Sequence, residues 1–159
     1  MQNFTMNTEH LNLADWEGRW YIVLTNFPMW LKGDKTSPSL NYTAQARGGI
    51  MGLRDEVLSW KNGKQTTILG FDTPEGADNR RFVWRGRGIL SLLTSVWELV
   101  YIDSTRHWAI IHFEKTLFTP EGYDVVCRAK QLSPKELAAV QVKLAEIGII
   151  ERLQPIRQE

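Results

Sequence analysis

Apolar positions recur along this chain at two spacings, and the spacing changes once. From Trp20 to Arg128 they alternate with polar ones in short runs broken by turn residues, the pattern of half-buried strands. Trp20 to Thr25 is aromatic and β-branched, and the stretch from Asn26 to Ser39, with Pro28, Gly33 and Pro38, reads as a long loop. Extended segments follow at Leu40 to Ala46, Met51 to Trp60, Thr66 to Phe71, Arg80 to Arg85, Val96 to Ile102, Trp108 to Glu114 and Tyr123 to Arg128. Between them lie Gly48-Gly49, Thr73-Pro74-Glu75-Gly76, a Gly86, Gly88 stretch, Asp103-Ser104-Thr105-Arg106 and Thr119-Pro120-Glu121-Gly122. Asn62-Gly63 is the strongest hairpin signal, because both residues tolerate the positive φ of a type I′ turn. After Leu132 the period lengthens: Leu137, Val140, Leu144 and Ile147 recur at helical spacing. Ser133, Pro134 and Glu136 supply an N-cap, a first-turn proline and a capping box, Leu132 and Leu137 a hydrophobic staple, and Gly148 a C-terminal stop.

Eight short antiparallel strands must close or sandwich to remove their edges. Sequential hairpins favour closure, so the predicted fold is all-β: an eight-stranded up-and-down barrel with one C-terminal α-helix packed on the outside. The expected organisation is a single domain over residues 1–159, with an N-terminal extension at 1–15, the barrel at 16–130, the helix at 133–147 and an exposed tail at 151–159.

Composition narrows the function. Nineteen basic against eighteen acidic side chains leave a formal net charge of +1, so no global field gathers polyanions or anionic lipid. One cysteine, Cys127, excludes an internal disulfide, and His10, His107 and His112 lack metal-ligand spacing, so no metal or other cofactor is expected. No apolar run approaches a membrane span, and the first residues lack the basic and apolar regions of a signal peptide, which gives a cytoplasmic expectation. Seven Trp and six Phe imply either a packed aromatic core or the wall of an apolar pocket.

Three blocks in order carry a family resemblance. Gly18-Arg19-Trp20 opens the first strand; Val100-Tyr101-Ile102-Asp103 precedes a turn and Trp108-Ala109-Ile110-Ile111; Arg128 ends the last strand just before the helix. With the long first loop and the final helix, the chain resembles the lipocalin family of the calycin superfamily, in texture the small bacterial and apolipoprotein D-like members. The resemblance implies a calyx, closed at one end, that binds, transports or stores a small hydrophobic or amphipathic molecule. Gly18, Trp20, Asp103 and Arg128 match the family's structural positions, and an Arg128 guanidinium lying over the Trp20 indole gives a cation–π contact of about 0.5–2 kcal/mol.

Period-two alternation nominates the cavity wall. Phe82 and Trp84 oppose Arg81, Val83 and Arg85. Trp97, Leu99 and Tyr101 alternate with Glu98, Val100 and Ile102, and matching the family's parity turns the first set inward. Leu24, Leu40, Tyr42, Leu69, Phe71 and Ile111 are assigned inward from the other strands, with Phe27, Met29 and Trp30 closing the mouth from the long loop. A fatty acid, lysolipid, retinoid, sterol or pigment-like compound suits such a wall. Two other readings stand beside it: a barrel filled by its own side chains, and a cavity enzyme of isomerase, cyclase or decarboxylase type using Asp124 and Tyr101. Asp124 shares the inward parity of Val126 and is expected at the wet mouth. Nucleic acid is not an expected partner, since the cluster Arg80, Arg81, Arg85 and Arg87 does not share a face with Phe82 and Trp84. The sequence leaves the oligomeric state open.

Overall fold

In the computed structural model, which describes residues 10–149 and 151–159, a one-turn helix, α1 (Leu13–Trp16), leads into β1 (Gly18–Thr25). The expected long loop holds a second short helix, α2 (Pro28–Leu31), and then β2 (Thr36–Arg47), β3 (Ile50–Lys61), β4 (Lys64–Pro74), β5 (Arg81–Gly86), β6 (Thr94–Ile102), β7 (Trp108–Phe113) and β8 (Gly122–Cys127) follow. A helix, α3 (Pro134–Ile147), and a two-residue strand, β9 (Gln154–Pro155), complete the described chain. The first nine residues of the expected 1–15 extension lie outside the described residues.

Each of β2 to β7 pairs antiparallel with the next, and β1 pairs with both β8 and β2, closing an eight-stranded barrel. At Asn62-Gly63 both residues have positive φ, and the tight turn pairs Lys61 with Lys64. That register sets the faces of a long hairpin: Leu53 opposite Asp72, Asp55 opposite Gly70, and Val57 opposite Ile68.

Two apolar clusters stabilise the barrel, one on each side of its wall. The inner one holds Trp16, Trp20, Ile22, Leu40, Tyr42, Leu53, Phe82, Trp97, Leu99, Ile102, Ile111 and Val126. The outer one, built on Val23, Leu24, Trp108, Ile110 and Val125, receives Val140, Leu144 and Ile147 of α3. Ser133 Oγ accepts from the Glu136 N–H at 3.1 Å and Glu136 Oε1 accepts from the Ser133 N–H at 3.0 Å, so the capping box forms as the sequence predicts. Leu137 departs from the expected stripe: it is 37% exposed and outside the cluster.

The closed end is tied by one arginine. Arg128 lies 3.7 Å above the centre of the Trp20 ring, and its guanidinium donates to the carbonyls of Asp15 and Glu17, each at 2.8 Å, and of Arg19 at 3.2 Å. Trp20 Nε1 donates to the Trp16 carbonyl at 3.0 Å, so α1 plugs the barrel floor with an indole on each side of the bond. Asp103, at the same end, binds Thr105 across its turn.

The tail is largely exposed, as expected, and is also tied to the barrel: β9 pairs with Leu24 and Thr25 where β2 has left β1, and the buried Gln158 donates from Nε2 to the carbonyls of Ile22 at 2.8 Å and Pro38 at 2.7 Å. Buried carbonyls at that seam require donors, and the tail supplies them. Among the described residues no helix is long and apolar enough to cross a membrane.

Candidate ligand-binding cavity

The open half of the barrel encloses a cavity of about 740 Å³, well within the range of small-molecule sites. Seven residues nominated from the sequence line it: Phe27, Met29 and Trp30 from the α2 segment, Leu40 and Tyr42 from β2, Trp84 from β5 and Trp97 from β6. Ile22, Val57, Ile68 and Phe113 add apolar wall. Phe82, Leu99 and Ile111 also point inward but lie in the packed floor, where Phe82 stacks on Trp97 at 4.5 Å between ring centres. Gly70 is needed here: a Cβ at that position would stand 2.1 Å from Trp84 Nε1, so only glycine lets this indole lie across the wall.

Four nominated residues face the other way. Leu24 and Tyr101 belong to the outer cluster, because β-bulges between Ile22 and Leu24 on β1 and between Leu99 and Tyr101 on β6 each reverse the alternation. Tyr101 packs on Trp108 and under Lys143 of α3, whose Nζ is 4.4 Å from its ring centre. Leu69 and Phe71 lie on the outer face of β4, since the Asn62-Gly63 register turns Ile68, Gly70 and Asp72 inward. Phe71 instead covers Gly52 and lies under Arg47. Asp124 and Tyr101, paired in the enzyme reading, therefore stand on opposite sides of the wall.

Asp124 is inward but not at a wet mouth. It is 2% exposed, and Thr25 Oγ1 donates to its Oδ1 at 2.6 Å while accepting from the Phe27 N–H at 3.0 Å. Burial pushes its carboxyl up to about 7, the Thr25 hydrogen bond opposing the shift.

Two further carboxyls escaped the sequence reading. Asp55 and Asp72 are 4% and 0% exposed, on the inner face of β3 and β4, close enough for their side chains to share a hydrogen bond. Burial raises both above the usual carboxylate range, Asp72 further because the Asp55 charge adds to the effect, and the two titrate as a pair. Trp97 Nε1 donates to Asp72 Oδ1 at 3.0 Å. Tyr42, stacked on Trp97 at 5.7 Å, has its phenol raised well above its usual value by burial and then by Asp55, Asp72 and Asp124. The signal for Asp55 and Asp72 was available: counting back from Asn62-Gly63 places both on one face with Leu53, Val57 and Ile68.

The rim of the cavity is apolar and exposed. Leu92, in the 3₁₀ turn Gly88–Leu92 between β5 and β6, and Leu117 and Phe118, between β7 and β8, line the opening and face solvent. Arg81 is on the outer face, held by Glu75 at 2.8 Å, Glu98 at 3.2 Å and Glu114 at 2.6 Å, while Arg85 donates to the Ser91 carbonyl at 2.8 Å and pins the mouth turn. Arg80 stands apart from Arg81 and Arg85: it is 8% exposed, at the floor. Outside the barrel, His107, Cys127 and Glu136 bring three possible metal-ligand atoms within 4.8 Å of one another. Each already has a partner in the protein: Glu136 binds His107 and the Ser133 N–H, and Cys127 Sγ accepts from the Ala129 N–H at 3.4 Å.

No family model matches the sequence, and no curated protein matches it significantly. Solved structures do. The cockroach major allergen Per a 4 is 14% identical, with 98% of this chain and 94% of that chain covered at a TM-score of 0.72. Insecticyanin from the tobacco hornworm Manduca sexta is 11% identical, with 95% and 82% covered at 0.71. Lobster apocrustacyanin A1 is 12% identical, with 93% and 80% covered at 0.67. These are lipocalin structures, and the likeness extends over nearly all of the chain: the protein, a closed eight-stranded barrel with an outer helix, has the lipocalin fold.

Proposed function

We propose that this protein binds and carries a small apolar or amphipathic molecule in its barrel. The observation behind the reading is the cavity of about 740 Å³ walled by Phe27, Trp30, Tyr42, Trp84 and Trp97. A barrel filled by its own side chains has no such space, and an apolar molecule entering this one buries its surface against aromatic faces at about 25 cal/mol per Å². The lipocalin structures it resembles support the same use of the fold. The exposed apolar rim offers a path from solvent or from another apolar surface into the site. Titration with an apolar fluorophore, read through the emission of the wall tryptophans, tests the reading: saturable binding supports it, and its absence across a chemically diverse apolar set returns the barrel to a closed scaffold.

A second reading rests on Asp124. A carboxyl near pH 7, oriented by a hydroxyl and buried in the cavity wall, can hold or release a proton at neutral pH, as acid–base catalysis requires. It predicts that a bound compound is converted and that Asp124→Asn stops the conversion without stopping binding. Tyr101 has no place in that chemistry.

A further inference from the structure

The cavity is apolar except along one band. Asp55 lines it with 4% exposure, and apart from the hydrogen bond it shares with Asp72 no donor in the protein meets its carboxylate. Asp72 stands beside it, occupied on one oxygen by Trp97, and Asp124 belongs to the same cavity wall. All three carboxyls act on the Tyr42 phenol, so they form one local field. Among the described residues the sole basic side chain on the cavity wall is Lys115, exposed on the loop between β7 and β8. A buried anion facing an apolar space is costly unless a cation or a strong donor meets it. The adjacent surfaces are the rings of Tyr42 and Trp97, whose faces attract cations.

We propose that the molecule carried is an amphipathic amine, its protonated nitrogen against the Asp55 carboxylate and its apolar body along Trp97 and Trp84. The inference rests on the carrier reading and narrows it. A neutral hydroxyl meets the hydrogen-bond requirement and leaves the charge, and a carboxylate or phosphate head is repelled, which sets fatty acids and lysophosphate lipids aside. The titratable groups that act on Asp55 or share its face are Asp72 from β4 and Tyr42 from β2, with the Glu56 charge reaching it from its own strand, and none of them is basic. Acidification neutralises the carboxyls while an alkylamine stays charged, so amine affinity falls from pH 8 to pH 5 and alcohol affinity does not.

Decylamine, 1-decanol and decanoate differ only in the head group, and calorimetric titration of each into the intact protein at pH 8 and pH 5 tests the proposal. Decylamine is expected to bind at least about tenfold tighter than 1-decanol at pH 8, about 1.4 kcal/mol, with decanoate weakest. That preference should shrink at pH 5. Asp55→Asn should remove it with 1-decanol affinity kept, and Asp124→Asn should lower decylamine affinity by only a few-fold. The wild-type comparison stands even where a variant folds poorly. Equal or tighter binding of 1-decanol or decanoate at pH 8 overturns the amine assignment and leaves the carrier reading intact. Binding of none of the three overturns both.

Discussion

Asp124→Asn is expected to stabilise the protein at pH 8 and to change its stability little at pH 5. The carboxyl is 2% exposed and titrates at about 7, against an ordinary 3.8. Unfolded, it releases its proton near 3.8; folded, it keeps the proton to about 7. Between those values the native state binds more protons than the unfolded one, so stability falls as pH rises through the window and the loss is complete above it. A span of about three pH units at about 1.4 kcal/mol each makes that loss about 4 kcal/mol. Asparagine has no proton to lose, and its Oδ1 still accepts from Thr25 Oγ1. Its new amide donors need acceptors, and unmet donors cost about 1–3 kcal/mol. The net gain at pH 8 is therefore about 1–3 kcal/mol, and near pH 5 the two effects cancel. Urea unfolding of both proteins at both pH values measures this. Asp55 and Asp72 are present in both, so the change in the mutational effect from pH 5 to pH 8, about 2–3 kcal/mol, isolates Asp124. Equal destabilisation at the two pH values refutes the buried, proton-retaining carboxyl.

Trp20→Ala removes the indole under Arg128 and should cost about 3–5 kcal/mol as a core truncation, read as a lowered thermal midpoint; an unchanged midpoint removes Trp20 from the barrel floor. Gly70→Ala places a methyl where Trp84 lies and should cost about 1–3 kcal/mol by overpacking, with shifted tryptophan emission and weaker cavity binding; wild-type stability and emission contradict the placement of Trp84.

Much of the barrel was legible because its signals are local. Asn62-Gly63 and Gly48-Gly49 form hairpin turns wherever they stand between extended runs, and Ser133-Pro134 with Glu136 specifies a helix start without tertiary help. The direction of side chains was legible only where alternation ran unbroken, as in Phe82 and Trp84. A bulge adds one residue with no compositional mark, and two bulges moved Leu24 and Tyr101 to the helix side. On β4 the bulk of Leu69 and Phe71 suggested the interior, whereas the interior takes Gly70 because Trp84 fills that space from β5. Asp55 sits in the charged run Arg54-Asp55-Glu56, which reads as a solvated face until the turn register is counted. Gln158 could not be read at all: its role depends on a seam between β1 and β2 that only the closed barrel creates.

Whether the cavity is a ligand site is tested most directly by titrating an apolar fluorophore into the wild type, Trp97→Ala and Tyr101→Ala in parallel. The account predicts saturable binding with quenched tryptophan emission in the wild type, at least about tenfold weaker binding in Trp97→Ala, which loses a wall residue worth more than about 1.4 kcal/mol, and unchanged affinity in Tyr101→Ala, whose ring lies under α3. Binding that Tyr101→Ala weakens and Trp97→Ala leaves unchanged would contradict it.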